Sequence, residues 1–182
     1  MRILESYYKK TIRYDLINKF NYIKNVNEIP QLKKIILNFG CKSVEVRNIA
    51  STFLALELIT TCQVSLVKAK RSNILLKVRK GNPVGCVVVL RKKQMYSFAF
   101  KLVSEVFPNL KGFKGISLSK KLIQPNFSFT IKDLINFTEL EKQFYLFIDL
   151  PPMNVVFVTN TNTKQELKYL LQSFKIPIIS NF

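Results

Sequence analysis

Histidine and tryptophan are both missing from the 182 residues of this chain. Without an imidazole there is no Ser-His or Cys-His nucleophile pair, no two-histidine metalloprotease helix and no imidazole metal ligand. Cysteine is scarce: Cys41, Cys62 and Cys86 lie twenty-one and twenty-four residues apart. That spacing matches no metal knuckle, and an odd number does not make a disulfide framework. The three read as small buried hydrophobes in a reducing compartment, and no metal or other cofactor is expected. Long apolar runs are missing too. The longest, such as Cys86-Val-Val-Val-Leu90, are strand-sized and fall short of the ~18 residues that cross a bilayer, so no membrane span is expected. The opening residues lack an apolar signal region and carry Glu5, with Asp15 further on, where a transit peptide avoids acids.

Acids are the next shortage. Twenty-nine Lys and Arg face eleven Asp and Glu, a net charge of +18. An excess of that size opposes compaction by self-repulsion and is tolerated when a polyanion neutralises it. The excess is local. Residues 1–57 hold ten basic and five acidic side chains, 58–132 hold fifteen and one, and 133–182 hold four and five. The stretch 58–104 carries Lys68, Lys70, Arg71, Lys77, Arg79, Lys80, Arg91, Lys92, Lys93 and Lys101, and no acid. A charge run is usually a solvated face, but such a face intersperses both signs. Cations without acids fit phosphates, where each contact releases condensed counterions.

Enzymatic roles find little support. An enzyme acting on RNA needs carboxylate metal ligands beside the basic zone, where only Glu105 is at hand. Asp133, Glu139, Glu141 and Asp149 cannot be paired into an acid/base dyad from spacing. The rival reading, a basic peripheral membrane or protein-binding module, requires a basic amphipathic helix with an exposed apolar face. Here the charges fall mostly in strands and a loop.

With 48% hydrophobic residues the chain can bury a sizeable core. Leu4, Tyr8, Ile12, Leu16 and Phe20 recur at intervals of four, which predicts a helix over 3–20 with Lys9, Lys10 and Arg13 on another side. A strand over 33–39, closed by Gly40, precedes a helix over 46–61 that turns Ile49, Phe53 and Leu56 to one side. Strands are expected over 63–69 and 85–91, and Met95, Phe98, Leu102 and Val106 mark a helix over 93–107 stopped by Pro108. Residues 111–125 read as irregular. Strands follow near 126–132, 144–149 and 154–160, the last apolar on both faces and therefore interior. Thr163 and Glu166 have capping-box spacing, opening a helix with Leu167, Leu170, Leu171 and Phe174 inward. The pattern gives a single α+β domain over 1–182, an antiparallel sheet packed with helices.

Two local features bear on RNA contact. Gly81 and Gly85 in Lys80-Gly-Asn-Pro-Val-Gly85 leave backbone that a partner could approach closely. Most of the fifteen Phe and seven Tyr occupy periodic core positions, but Phe113, between Lys111 and Lys114 and flanked by glycines, is placed to stack on a base.

Taken in order, several stretches resemble the L-five family of large-subunit ribosomal proteins, which bind 5S ribosomal RNA. They are Tyr7-Tyr8; Phe20-Asn-Tyr22 and Ile29-Pro30; Lys34-Ile-Ile-Leu-Asn-Phe-Gly40; Lys68-Ala-Lys-Arg-Ser72; Lys77-Val-Arg-Lys-Gly-Asn-Pro-Val-Gly-Cys86; Leu90-Arg91; Met95-Tyr96; Pro108; Phe113-Lys-Gly-Ile116; Asn126-Phe-Ser128; and a strand-then-helix ending from Val155 to Pro177. The resemblance implies a place on the central protuberance, with the sheet and first strand against 5S rRNA. By position that carries over to Lys34, Asn38, Gln63 and Arg91, joined by the cations Lys9, Arg13, Lys33, Lys68 and Lys92 as ribosomal RNA contacts. The family's long basic loop reaches the P-site tRNA and corresponds here to Lys70, Arg71, Ser72, Lys77, Arg79 and Lys80. Lys111, Phe113 and Lys114 form a further contact. Another edge faces the small-subunit head and its protein S-thirteen, forming an intersubunit bridge. Val89 departs from the family's usual hydroxyl residue before Leu-Arg, and residues 117–125 and 139–152 drift from its pattern.

Lys, Ile, Asn and Phe make up 71 of the 182 residues, the mark of an AT-rich coding sequence. With the match starting almost at Met1, an organelle-encoded mitochondrial protein is expected; the alternatives are a bacterial cytoplasm or a plastid.

Overall fold

The computed structural model describes residues 3–20, 28–41, 45–75, 77–117 and 126–179. The motif residues Asn21 and Tyr22, and the divergent stretch 118–125, lie outside them.

Helix α1 runs in three successive segments: Ile3–Tyr7, a π-helical turn over Tyr8–Ile12, and Arg13–Phe20. Its four-residue stripe points inward, with Leu4, Tyr8, Ile12 and Leu16 all buried. Strand β1, Leu32–Gly40, alternates from Ile35 onward: Ile35, Leu37 and Phe39 are fully buried while Asn38 is exposed. Helix α2, Val46–Thr60, buries Ile49, Thr52, Leu56 and Ile59. Phe53 was expected on that face and is only half-buried. The buried Ile49, Thr52, Leu56 and Ile59 succeed one another at intervals of three, four and three, and at about 100° per residue Phe53 falls at the edge of that stripe.

Strands β2, Ser65–Lys68, and β3, Pro83–Leu90, pair antiparallel, Ser65 opposite Val87 and Leu66 opposite Cys86. Helix α3 comprises Lys92–Lys101, a π-helical turn over Leu102–Val106 and a final Phe107–Asn109. Met95, Phe98, Leu102 and Val106 are buried as the spacing predicts. Pro108 does not stop the helix at once. It sits in the last short segment, and the helix ends one residue later at Asn109. Beyond it lie β4, Ile116–Ser117; β5, Asn126–Ile131; the single turn α4, Thr138–Glu141; β6, Met153–Thr159; α5, Lys164–Ser173; and β7, Ile178–Ile179.

The main sheet is antiparallel, in the order β2-β3-β1-β6-β5, and helices pack against it in an α+β arrangement. β6 is an interior strand, as its apolar faces require. β4 and β7 make a separate parallel pair, Ile116 opposite Ile178. The strand expected over 144–149 is absent: Phe144–Leu146 is a single 3-10 turn. Its apolar run is misleading: Phe144, Tyr145, Leu146 and Ile148 are exposed and only Phe147 is buried. Among the described residues no strand pairs with it to satisfy an extended backbone.

The chain divides into two compact units, one of residues 1–35, 91–128 and 156–182, the other of 36–90 and 129–155; β1, β5 and β6 run through both. The first is cored by aromatics. Tyr8 stacks on Phe174 at 5.9 Å and on Tyr96 at 6.2 Å, and its hydroxyl donates to the Pro30 carbonyl at 2.9 Å. In the second, α2 lies on β3, and the Thr52 hydroxyl sits 3.5 Å from Cys86 Sγ and 3.6 Å from Cys41 Sγ. Cys86 is buried, as a small hydrophobe should be; Cys41 and Cys62 are half-buried. Burial pushes the Cys62 and Cys86 thiols up, so both are poor nucleophiles.

Candidate nucleic-acid interface

Within the second unit, β2 and β3 continue past the sheet as a hairpin. The Ala69 N–H donates to the Asn82 carbonyl at 2.8 Å, and Gly81 N–H returns to Ala69 at 3.0 Å. Further out, Asn73 and Val78 exchange two backbone hydrogen bonds of 2.8 and 3.0 Å. The Asn73 side chain accepts from Leu75 N–H at 3.0 Å, an Asx turn that fixes the tip. Lys77 donates its N–H to Ile74 across that turn at 3.1 Å and takes a positive φ of 52°.

All the loop residues proposed from the sequence lie on this hairpin. Lys68, Lys70, Arg71, Ser72, Lys77, Arg79 and Lys80 are exposed, and none has a side-chain partner among the described residues. A cation that no acid neutralises keeps its full charge for a ligand. Gln63, just before β2, is also exposed. Asn38 is exposed on β1, where the alternation turns it away from the buried face carrying Leu37 and Phe39.

The two glycines do different work from the one expected. Gly81 adopts φ +92°, a turn conformation that other residues resist. Gly85 is buried, and a Cβ there would collide with the Phe39 carbonyl oxygen. It permits close packing of β3 on β1, so no outside partner approaches it.

The remaining candidates lie in the first unit. Lys33 is exposed and Lys34 half-buried at the start of β1. Arg91 and Lys92 are exposed where β3 hands over to α3. Lys92 has a positive φ of 48°, and no side chain caps the helix. For a lysine that backbone costs on the order of 1 kcal/mol. The junction therefore presents three consecutive cations, Arg91 to Lys93, next to uncapped N–H groups, an arrangement favourable to anions.

On α1, Lys9 is exposed but bound to Glu5 at 2.7 Å, so part of its charge is spent internally. Arg13 is half-buried close to Tyr8. Lys111 and Lys114 are exposed, whereas Phe113 is half-buried with one ring face stacked on Phe107 at 5.2 Å and 4°. Stacking by Phe113 on a base would therefore use its other face. Sequence reasoning overlooked the hairpin tip, where Ile74 and Leu75 are each 93% exposed.

No group of ligating side chains suited to a metal occurs among the described residues, and none of their helices is long and apolar enough to cross a membrane.

The family model for the C-terminus of the ribosomal L-five proteins matches residues 83–178. The mitochondrial large ribosomal subunit protein uL5m of Reclinomonas americana is 38% identical over 180 residues, covering 98% of each chain. The large ribosomal subunit protein uL5 of Syntrophus aciditrophicus is 35% identical over 182 residues, 99% of this chain and all of that one. Nitrosomonas europaea uL5 is 38% identical over 179 residues, 97% of each. Each of these relatives is named a large ribosomal subunit protein. With matches that run the length of both partners, the chain belongs to the uL5 family of large ribosomal subunit proteins.

Proposed function

We propose that this chain binds 5S rRNA and large-subunit rRNA at the central protuberance of a mitochondrial ribosome, reaches the P-site tRNA with its β2–β3 hairpin, and bridges to protein S-thirteen of the small-subunit head. The observation that carries the RNA reading is the set of unpaired cations, six of them between Lys68 and Lys80 alone. Coulomb attraction to phosphate is strongest for cations with no internal partner, and released counterions add entropy.

Charge within the second unit supports a division of labour. Six of its ten cations lie on the hairpin, while four of its six acids lie between Asp133 and Asp149. The acid-bearing segment also exposes Phe144, Tyr145, Leu146 and Ile148. Acids repel RNA, and exposed aromatics suit a protein neighbour. A bridging edge would look like this. The mitochondrial assignment rests on the AT-rich composition and on the mitochondrial origin of one relative.

The test is a salt titration of the full chain against 5S-type RNA. With on the order of five or more phosphate contacts, affinity should fall at least about a hundredfold between 50 and 200 mM salt. Affinity that ignores salt, or equal binding to anionic lipid vesicles, would overturn the reading.

A further inference from the structure

The hairpin tip combines two things that water does not favour together. Ile74 and Leu75 are 93% exposed, more than any other large hydrophobic residue described. Single exposed aliphatics are common on protein surfaces, but two neighbours held out together at a fixed turn are not. The described residues of the turn are tied together by the Asx contact from Asn73, the Lys77–Ile74 bond and the paired Asn73–Val78 bonds. Lys70 and Arg71 flank the tip on one strand, and Lys77, Arg79 and Lys80 on the other.

We infer that Ile74 and Leu75 seat against an exposed base face of a folded RNA while the flanking cations hold the phosphates on either side. This rests on the hairpin's assignment to tRNA, and it adds the component that reads RNA shape. Cations alone follow any phosphate backbone. An aliphatic surface needs a flat apolar surface, and in folded RNA that surface is the face of a base left without a stacking neighbour. Aliphatic wedges on nucleic-acid-binding proteins use the same chemistry. A lipid surface fits less well, because two aliphatic side chains give a small apolar area compared with an amphipathic anchor. A second copy of this chain would bring another +18 of charge against the same five cations.

The experiment uses large subunits assembled with the full-length chain. It compares wild type, the double variant I74S/L75S and the charge variant R79A/K80A for the release rate of P-site tRNA. Both tip residues are solvent-exposed, so the double variant should fold and remain on the subunit, which its protein content reports. The expected result is release about tenfold faster in I74S/L75S, by the same factor at low and high salt, since apolar contact is not screened. I74L/L75I should restore the wild-type rate. Unchanged release in I74S/L75S, with faster release in R79A/K80A, overturns the apolar seat and leaves the tRNA assignment standing. Unchanged release in both overturns the assignment as well. If the wild-type chain binds vesicles of phosphatidylcholine and phosphatidylserine and the tip variant does not, the tip is a lipid contact and the inference fails.

Discussion

Tyr8 shows how one side chain joins packing to electrostatics. It is buried in the aromatic cluster with Tyr96 and Phe174, and its hydroxyl donates to the Pro30 carbonyl. Burial disfavours the phenolate and pushes its pKa up to about 12, with Arg13 pulling part of the way back; burial likewise raises Tyr96. An acid whose folded pKa lies above the unfolded value of 10.0 contributes stability that is complete below pH 10 and lost as pH climbs towards 12. Tyr8→Phe should therefore lose about 1 kcal/mol at pH 8, where the hydrogen bond disappears, and lose less additional stability than wild type between pH 8 and 11. Urea unfolding at the two pH values measures both quantities. A variant whose stability drops as steeply as wild type would show that Tyr8 does not titrate in this way.

At the level of elements, the helices were legible because their apolar residues repeat. Two of them carry a feature that the repeat itself explains. A strict interval of four overshoots a 3.6-residue turn by about 40° per step, so an inward stripe would rotate out of the core. In α1 the π-helical turn covers Tyr8–Ile12, and in α3 it covers Leu102–Val106, each spanning two inward residues four apart. Widening one turn brings the stripe back into line. What stayed illegible depends on distant neighbours. β4 and β7 are two residues each, set by pairing across more than sixty positions, and no local pattern marks them. Phe144 to Ile148 is an apolar run of strand length that pairs with no strand among the described residues; it turns and exposes most of its side chains. The capping box of α5 was fully legible and formed as spaced: Glu166 N–H donates to Thr163 Oγ1 at 3.3 Å, and Thr163 N–H returns to the Glu166 carboxylate at 3.4 Å. Thr163→Ala should cost about 1 kcal/mol, read as a lower urea midpoint with an unchanged slope. Thr163→Ser should recover most of it.

For the whole molecule, the shortage of acids between residues 58 and 132 needs no geometry to be seen, and the proposed RNA contact rests on it. Sequence could not say which cations keep their charge free. Lys9 is spent on Glu5, whereas those on the hairpin have no partner among the described residues. Nor could it assign Gly85 to packing on Phe39, or place Ile74 and Leu75 in water. The proposed contacts for the two RNAs fall on different elements: Lys34 and Asn38 on β1 and Arg91 at the β3–α3 junction for 5S rRNA, the hairpin beyond Ala69 for tRNA. Sites that share no partners act additively, so weakening one should leave the other nearly intact. Replacing Arg79 and Lys80 by alanine removes two of the proposed phosphate contacts, both on the hairpin. In a filter-binding assay the double variant should keep its affinity for 5S-type RNA within about twofold, since neither residue takes part in that contact. On large subunits the same variant should release P-site tRNA faster, with a salt dependence shallower by about two contacts. If it instead loses 5S-type RNA, the hairpin is part of the 5S site, and the division between β1 and the hairpin is wrong.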